Sequence, residues 1–366
     1  MKKDEKVSSI QMLFLLVTTV TVTGFLFVPS ITAKFAFQDG WISVALFATI
    51  FGIIVALVCT RLGLYYPDKS VVEYAPELVG KFGGKLIGLL YVLFFIHVNA
   101  VIVREFGDFL VTAFLPETPL LVFNLIVVLL AAYAVYNGME VLCRMNQFLF
   151  PMFIAAFGFM VFLLTENISF DNFLPLMEHG VKPVIQGSLV PGAWRGEIVL
   201  ILMFLPFLNQ PRETGQTLLT AVGVIGLFLT LTAVTSIAVF GPLLTQNMVF
   251  PILELARYVS LGNFLERIEA IVIIVWVAGV TVKVAAFYLA AVLGTAQWLH
   301  IKDYRPLVYP VGIFILVYSV TIFENSRELV EFLATIFAPY AYLFEIIIPM
   351  GLLAVALIRN RGGQKQ

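Results

Sequence analysis

Apolar runs of about 20 residues recur along the whole chain between short polar segments, the length a membrane-crossing helix needs. They lie near residues 9–37, 41–64, 84–115, 119–137, 142–165, 184–208, 215–241, 264–299, 306–323 and 334–358, and predict ten spans. An even number of crossings puts both termini on one side. Lys2, Lys3, Lys6, Arg61, Lys69 and Lys81 are among many basic residues on the terminal side, against Lys34, Lys182, Arg257, Arg267 and Arg327 opposite. The positive-inside rule therefore predicts cytoplasmic termini. Residues 251–260 and 325–333 mix charged and apolar positions at helical spacing, which predicts surface helices capping the outer mouth.

Composition agrees with an all-α integral membrane protein: of 366 residues, 61% are hydrophobic and 12% charged. Residues 1–366 are expected to form a single transmembrane domain, its halves about 9–165 and 184–358. The N-terminal basic residues before an apolar run resemble a signal peptide, but the run is too long and lacks a cleavage site, so a retained first helix is expected. A net charge of −1 says nothing about nucleic acid, but no basic, aromatic-interleaved patch occurs, so no nucleic-acid partner is expected. Cys59 and Cys143 have no metal-like or paired spacing, and His97, His179 and His300 lie in unrelated regions. No nucleotide-binding, zinc or nucleophile motif occurs, so no enzyme activity and no cofactor are expected.

Span 6 carries the most informative irregularity. Pro191-Gly192-Ala193-Trp194-Arg195-Gly196-Glu197 sets two opposite charges amid apolar flanks. Each flank is roughly 18 Å long as helix, too short to cross alone. A charge at mid-membrane costs on the order of 3 kcal/mol on insertion scales, so it needs a function or a partner. Span 1 has a second candidate break, where Thr18, Thr19, Thr21, Thr23 and Gly24 precede Phe25 and Pro29. Gly permits unusual dihedrals and Thr hydroxyls can satisfy freed backbone groups, although back-bonded threonines with a proline kink fit the same residues. Interruptions in the first span of each five-span half point to an inverted repeat with a central site.

Ten spans, the Gly24-Phe25 break before Pro29, and the Gly196-Glu197-Ile198 to Phe204-Leu205-Pro206 run resemble the amino acid/polyamine/organocation transporter superfamily. More narrowly, Phe250-Pro251, Glu266-Arg267-Ile268-Glu269 and the stretch from Val275-Trp276 to Lys283 resemble the B subunit of bacterial spore germinant receptors. The resemblance implies a five-plus-five inverted repeat (LeuT/APC-like) with broken helices 1 and 6. It further implies residence in the spore inner membrane, partnership with germinant receptor A and C subunits, and sensing of a small-molecule nutrient.

Arg104, Arg195 and Lys283 are the basic residues inside spans. On span 8, Trp276, Gly279, Val280, Lys283 and Phe287 share one helix face. A buried ammonium needs a counter-charge, and Glu197 is the candidate; Lys283 would either bind a ligand carboxylate or hold Glu197 where other transporters hold a cation. That spans 1, 6 and 8 lie close together is implied by the resemblance. Arg195, beside Trp194 and Pro191, is expected in an outer vestibule as a gate. Arg104 and Asp108 form an i, i+4 pair near the outer end of span 3. His97 is expected to be a packing residue, and Glu266, Arg267 and Glu269 to cap the start of span 8.

The expected ligand site comprises Thr21, Thr23, Gly24, Phe25, Phe94, Val98, Trp194, Gly196, Glu197, Lys283 and Phe287. Backbone N–H groups at the two breaks would hold a carboxylate. Carbonyls with Glu197 would take an amino group, and Phe25, Phe94, Val98 and Phe287 would line an apolar pocket. An autonomous proton- or cation-coupled permease and a ligand-gated water or ion conduit are the alternatives.

Overall fold

A computed structural model describes residues 5–259 and 268–363. The run 9–65 is helical almost throughout, and at 57 residues it would extend about 85 Å, nearly three hydrocarbon thicknesses. It divides at Phe37, where φ is +51° and the chain turns, leaving span 1 as Ser9–Ala36 and span 2 as 40–65. Gly40 lies against the Thr32 backbone, where an added Cβ would fall 2.9 Å from the Thr32 carbonyl carbon.

Spans 3, 4 and 5 are Lys81–Ala113, Leu120–Asn137 and Met139–Leu163. Span 6 is Val181–Phe207, span 7 Thr214–Thr245, span 8 Ile268–Trp298 and span 10 Phe337–Arg359. Span 9, Val308–Thr321, is short, and the segment containing it bends by 101° into the helix Ser326–Thr335. Together these make ten crossings among the described residues, with Pro251–Tyr258 and Ser326–Thr335 as the two expected surface helices. Glu266 and Arg267 fall outside the described residues.

One helix escaped the sequence reading. Val71–Val79 precedes span 3 and starts with a capping box, Ser70 and Glu73 exchanging side-chain and backbone bonds. Gly84 lets span 3 press onto it, because a Cβ there would meet Pro76 at 2.2 Å.

Span 1 corrects an expectation. It is helical from Ser9 to Ala36 with Pro29 inside, and its threonines support the helix rather than an unwound turn. Thr19 and Thr21 donate to the Leu15 and Val17 carbonyls, each at 2.7 Å, and Thr32 to Val28 at 2.8 Å. The span 6 irregularity is real but displaced. The α-helix continues through Pro191 to Gly196, then tightens into a 3₁₀ turn over Glu197–Leu200.

Two π-turns, at Ser43–Ala48 in span 2 and Leu343–Ile347 in span 10, pack against this part of span 6. At the terminal face Val7 bridges to the end of span 6. Its N–H donates to the Phe207 carbonyl at 2.8 Å, and its own carbonyl accepts from Asn209 N–H at 2.9 Å.

Candidate ligand site

The span 6 3₁₀ turn brings Glu197 toward span 8, and Lys283 meets it there. The Lys283 Nζ donates to Glu197 Oε1 at 2.9 Å and Oε2 at 2.7 Å, and to Thr23 Oγ1 of span 1 at 2.7 Å. All three ammonium donors are thereby used. Both charged side chains are only 1% exposed, so three spans are joined by an ion pair sealed from solvent. The Lys283 Nζ also lies 5.8 Å from the Phe287 ring centre, adding a cation–π contact. Spans 1 and 8 come close at Gly279, where a Cβ would strike Val22 at 2.6 Å. Nearby, Trp276 Nε1 donates to the Val22 carbonyl at 2.7 Å. The Lys283 face read from the sequence is therefore the face turned to span 1.

The remaining expected residues divide. Val98 is buried on span 3. Phe94 on the same span stacks on Phe344 of span 10, ring centres 4.3 Å apart. Phe25 turns away from both: its ring packs on Phe153 and Phe157 of span 5 and Phe228 of span 7. Gly24 faces Leu229 of span 7, and Thr21 is occupied by Val17. Phe25 and Gly24 thus build the span 1 contact with spans 5 and 7, and Thr21 bonds within its own helix, rather than at the Lys283 centre. Gly196 lies against Glu345, leaving no room for a ligand atom, since a Cβ would sit 2.0 Å from Glu345 Oε2.

Arg195 is also corrected. It is fully buried, not in a vestibule, and donates to the Pro191 carbonyl at 3.2 Å and the Val44 carbonyl at 2.9 Å. Val44 lies in the span 2 π-turn, whose shifted backbone presents that carbonyl sideways. Arg104 and Asp108 pair as expected, Nε to Oδ1 at 3.0 Å. Arg104 also caps span 9 through the Val320 and Phe323 carbonyls at 3.2 and 2.7 Å. His97 is half-buried and meets the Tyr340 hydroxyl at 2.9 Å, a packing role.

Opposite the terminal face, a 590 Å³ cavity opens between spans 1 and 3, the helix Ser326–Thr335 and the Val249-Phe250 segment that leads into Pro251–Tyr258. Glu105, Asp108 and Phe27 lie among its lining, with Lys34 and Arg327 contributing positive charge. Between it and Lys283 runs an aromatic layer. Phe27 stacks on Trp194 at 6.4 Å and meets Phe250 edge-on at 5.6 Å; Phe250 meets Phe109 at 4.9 Å, and Phe109 meets Trp276 at 4.2 Å. Trp194 thus belongs to a closing layer. Lys283 lies seven residues beyond Trp276 along span 8, about 10 Å deeper.

Sequence reading missed Glu345. It is fully buried at the span 10 π-turn, and it was detectable as a lone acid within the apolar run 334–358.

Ten crossings around a buried charge pair define a transporter-type fold, and solved structures bear this out. MhsT in complex with L-phenylalanine superposes with a TM-score of 0.72, covering 96% of this chain and 99% of that one at 12% identity. Mhp1, a nucleobase-cation-symport-1 family transporter with bromovinylhydantoin bound, gives 0.61 over 93% and 78% at 14% identity. The fold is the five-plus-five LeuT/APC type. Residues 6–327 match the profile described as spore germination protein, and the chain belongs to that family. Spore germination protein KB of Bacillus subtilis (strain 168) is 28% identical over 98% of this chain and 96% of its own. The putative spore germination protein YfkT of the same organism is 31% identical over 90% of each.

Proposed function

We propose that this chain is the nutrient-sensing membrane subunit of a spore germinant receptor, binding a small zwitterion, by preference an amino acid, beside the Glu197–Lys283 pair. The observation carrying this reading is that pair, bound to Thr23 and sealed beneath an aromatic layer and an outer cavity. An amino acid entering it replaces one ion pair with two: its carboxylate meets Lys283 and its ammonium meets Glu197. Since span 1 is continuous, Lys283 takes the role first given to backbone N–H groups at its break. Thr23, Val98 and Phe287 are the companions retained from the sequence reading, and Trp194 with Phe27 closes the layer above. Ligand binding favours one arrangement of spans 1, 6 and 8 through differential contacts, and A and C subunits read that change. The chain then resides in the spore inner membrane with both termini on the core side.

The fold shared with an amino-acid-bound MhsT favours one second reading, an autonomous permease. The test is twofold. Spores carrying Glu197→Gln or Lys283→Ala at normal abundance should lose their response to nutrient amino acids, and an undiminished response sinks the site. Purified protein in liposomes should bind labelled amino acid without gradient-driven accumulation; accumulation without partner subunits favours the permease.

A further inference from the structure

Beside the ion pair lies a third charged-type group that the pair does not use. Glu345 is fully buried, and neither carboxylate oxygen has a hydrogen-bond partner. Its Oε2 presses on Gly196, the residue before Glu197. No donor around it is bonded to it. Lys283 gives all its donors to Thr23 and Glu197. Arg195 gives its two bonds to the Pro191 and Val44 carbonyls, and its Nε, though unpaired, makes no bond to Glu345. Tyr91 of span 3 donates to the Phe344 carbonyl at 2.8 Å, and Tyr342, just before the span 10 π-turn, to the Leu189 carbonyl at 2.6 Å. The free thiol of Cys59 in span 2 completes the surroundings. A carboxylate ion placed there would be uncompensated, whereas a neutral acid needs no cation.

We infer that Glu345 is a proton-binding site: a neutral carboxylic acid in this closed arrangement, which releases its proton when span 6 moves and Lys283 becomes available to it. The O–H bond breaks, the proton passes to water, and the electron pair stays on the carboxylate, which takes a share of the Lys283 ammonium from Glu197. Glu197 and Glu345 thus compete for one cation, and proton occupancy of Glu345 decides the winner. The release step rests on span 6 moving as proposed above, but the closed-state protonation does not depend on any ligand.

The test is infrared spectroscopy of the purified full-length protein in nanodiscs, without ligand, at neutral pH. The carbonyl stretch of a protonated carboxylic acid should be present in the wild type, lost in Glu345→Gln and retained in Glu197→Gln. An unchanged acid band in Glu345→Gln overturns the proposal. Should that variant fail to fold, Glu345→Asp keeps the acid one methylene shorter; its band should shift, and an unshifted band places the acid elsewhere and overturns the assignment. Because no ligand is added, failure here is distinguishable from failure of the nutrient site.

Discussion

Lys283 of span 8 grips both carboxylate oxygens of Glu197 in span 6, at 2.9 and 2.7 Å, across 86 residues of sequence. Its third donor reaches Thr23, so one side chain ties the first span of each half to span 8.

Removing one partner strands the other charge in an apolar interior, which costs about 3–5 kcal/mol. Glu197→Gln and Lys283→Met should each lower the unfolding temperature of detergent-purified protein. The double variant should recover much of the loss, because no charge is then left alone. Strictly additive losses would show that the two do not act as a pair.

Gly196→Ala asks whether the span 6 turn depends on close approach. The added methyl falls 2.0 Å from Glu345 Oε2, so span 6 or span 10 must shift. We expect a protein that inserts but unfolds earlier and responds poorly to nutrient. Wild-type thermal stability would contradict this packing.

Trp276→Phe removes the indole N–H donated to the Val22 carbonyl and keeps an aromatic ring against Phe106 and Phe109. The expected loss is about 0.5–1.5 kcal/mol of stability, that of one hydrogen bond. Denaturation midpoints of the two proteins measure it.

The aromatic layer should control access from the outer cavity. With Thr23→Cys, a charged thiol reagent applied from the face opposite the termini should react poorly while Phe27 is intact. Adding Phe27→Ala should raise labelling several-fold. Cys59 and Cys143 are buried and should contribute little background. Equal labelling in both backgrounds would remove Phe27 from the closing layer.

Hydropathy made the ten crossings legible because each apolar run matches the membrane thickness, and the charge of Lys283 made its need for a partner legible. Local chemistry at span 1 was ambiguous. A Thr-rich stretch before Pro29 suits either an unwound turn or a back-bonded helix, and only packing against spans 5, 7 and 8 selects the helix. Arg195 misled for a related reason. Its partners are carbonyls presented by a π-turn in span 2, and backbone carbonyls leave no mark in a search for counter-charges. Glu345 was visible as a lone acid, yet its neighbour Gly196 is far away in sequence, so its position emerges only from the folded chain.

The bridge at Val7 also has a mechanical consequence. Its two backbone bonds pin the entrance of span 1 to the exit of span 6, and Lys6 adds a third tie through the Pro206 carbonyl at 3.0 Å. Two rods fastened at one end separate most at the other. Relative displacement of spans 1 and 6 therefore grows with distance from that fastening, as in a hinged pair of tongs whose jaws lie on the cavity side. Cutting the fastening by deleting residues 1–7 would leave the jaws intact and remove the fulcrum.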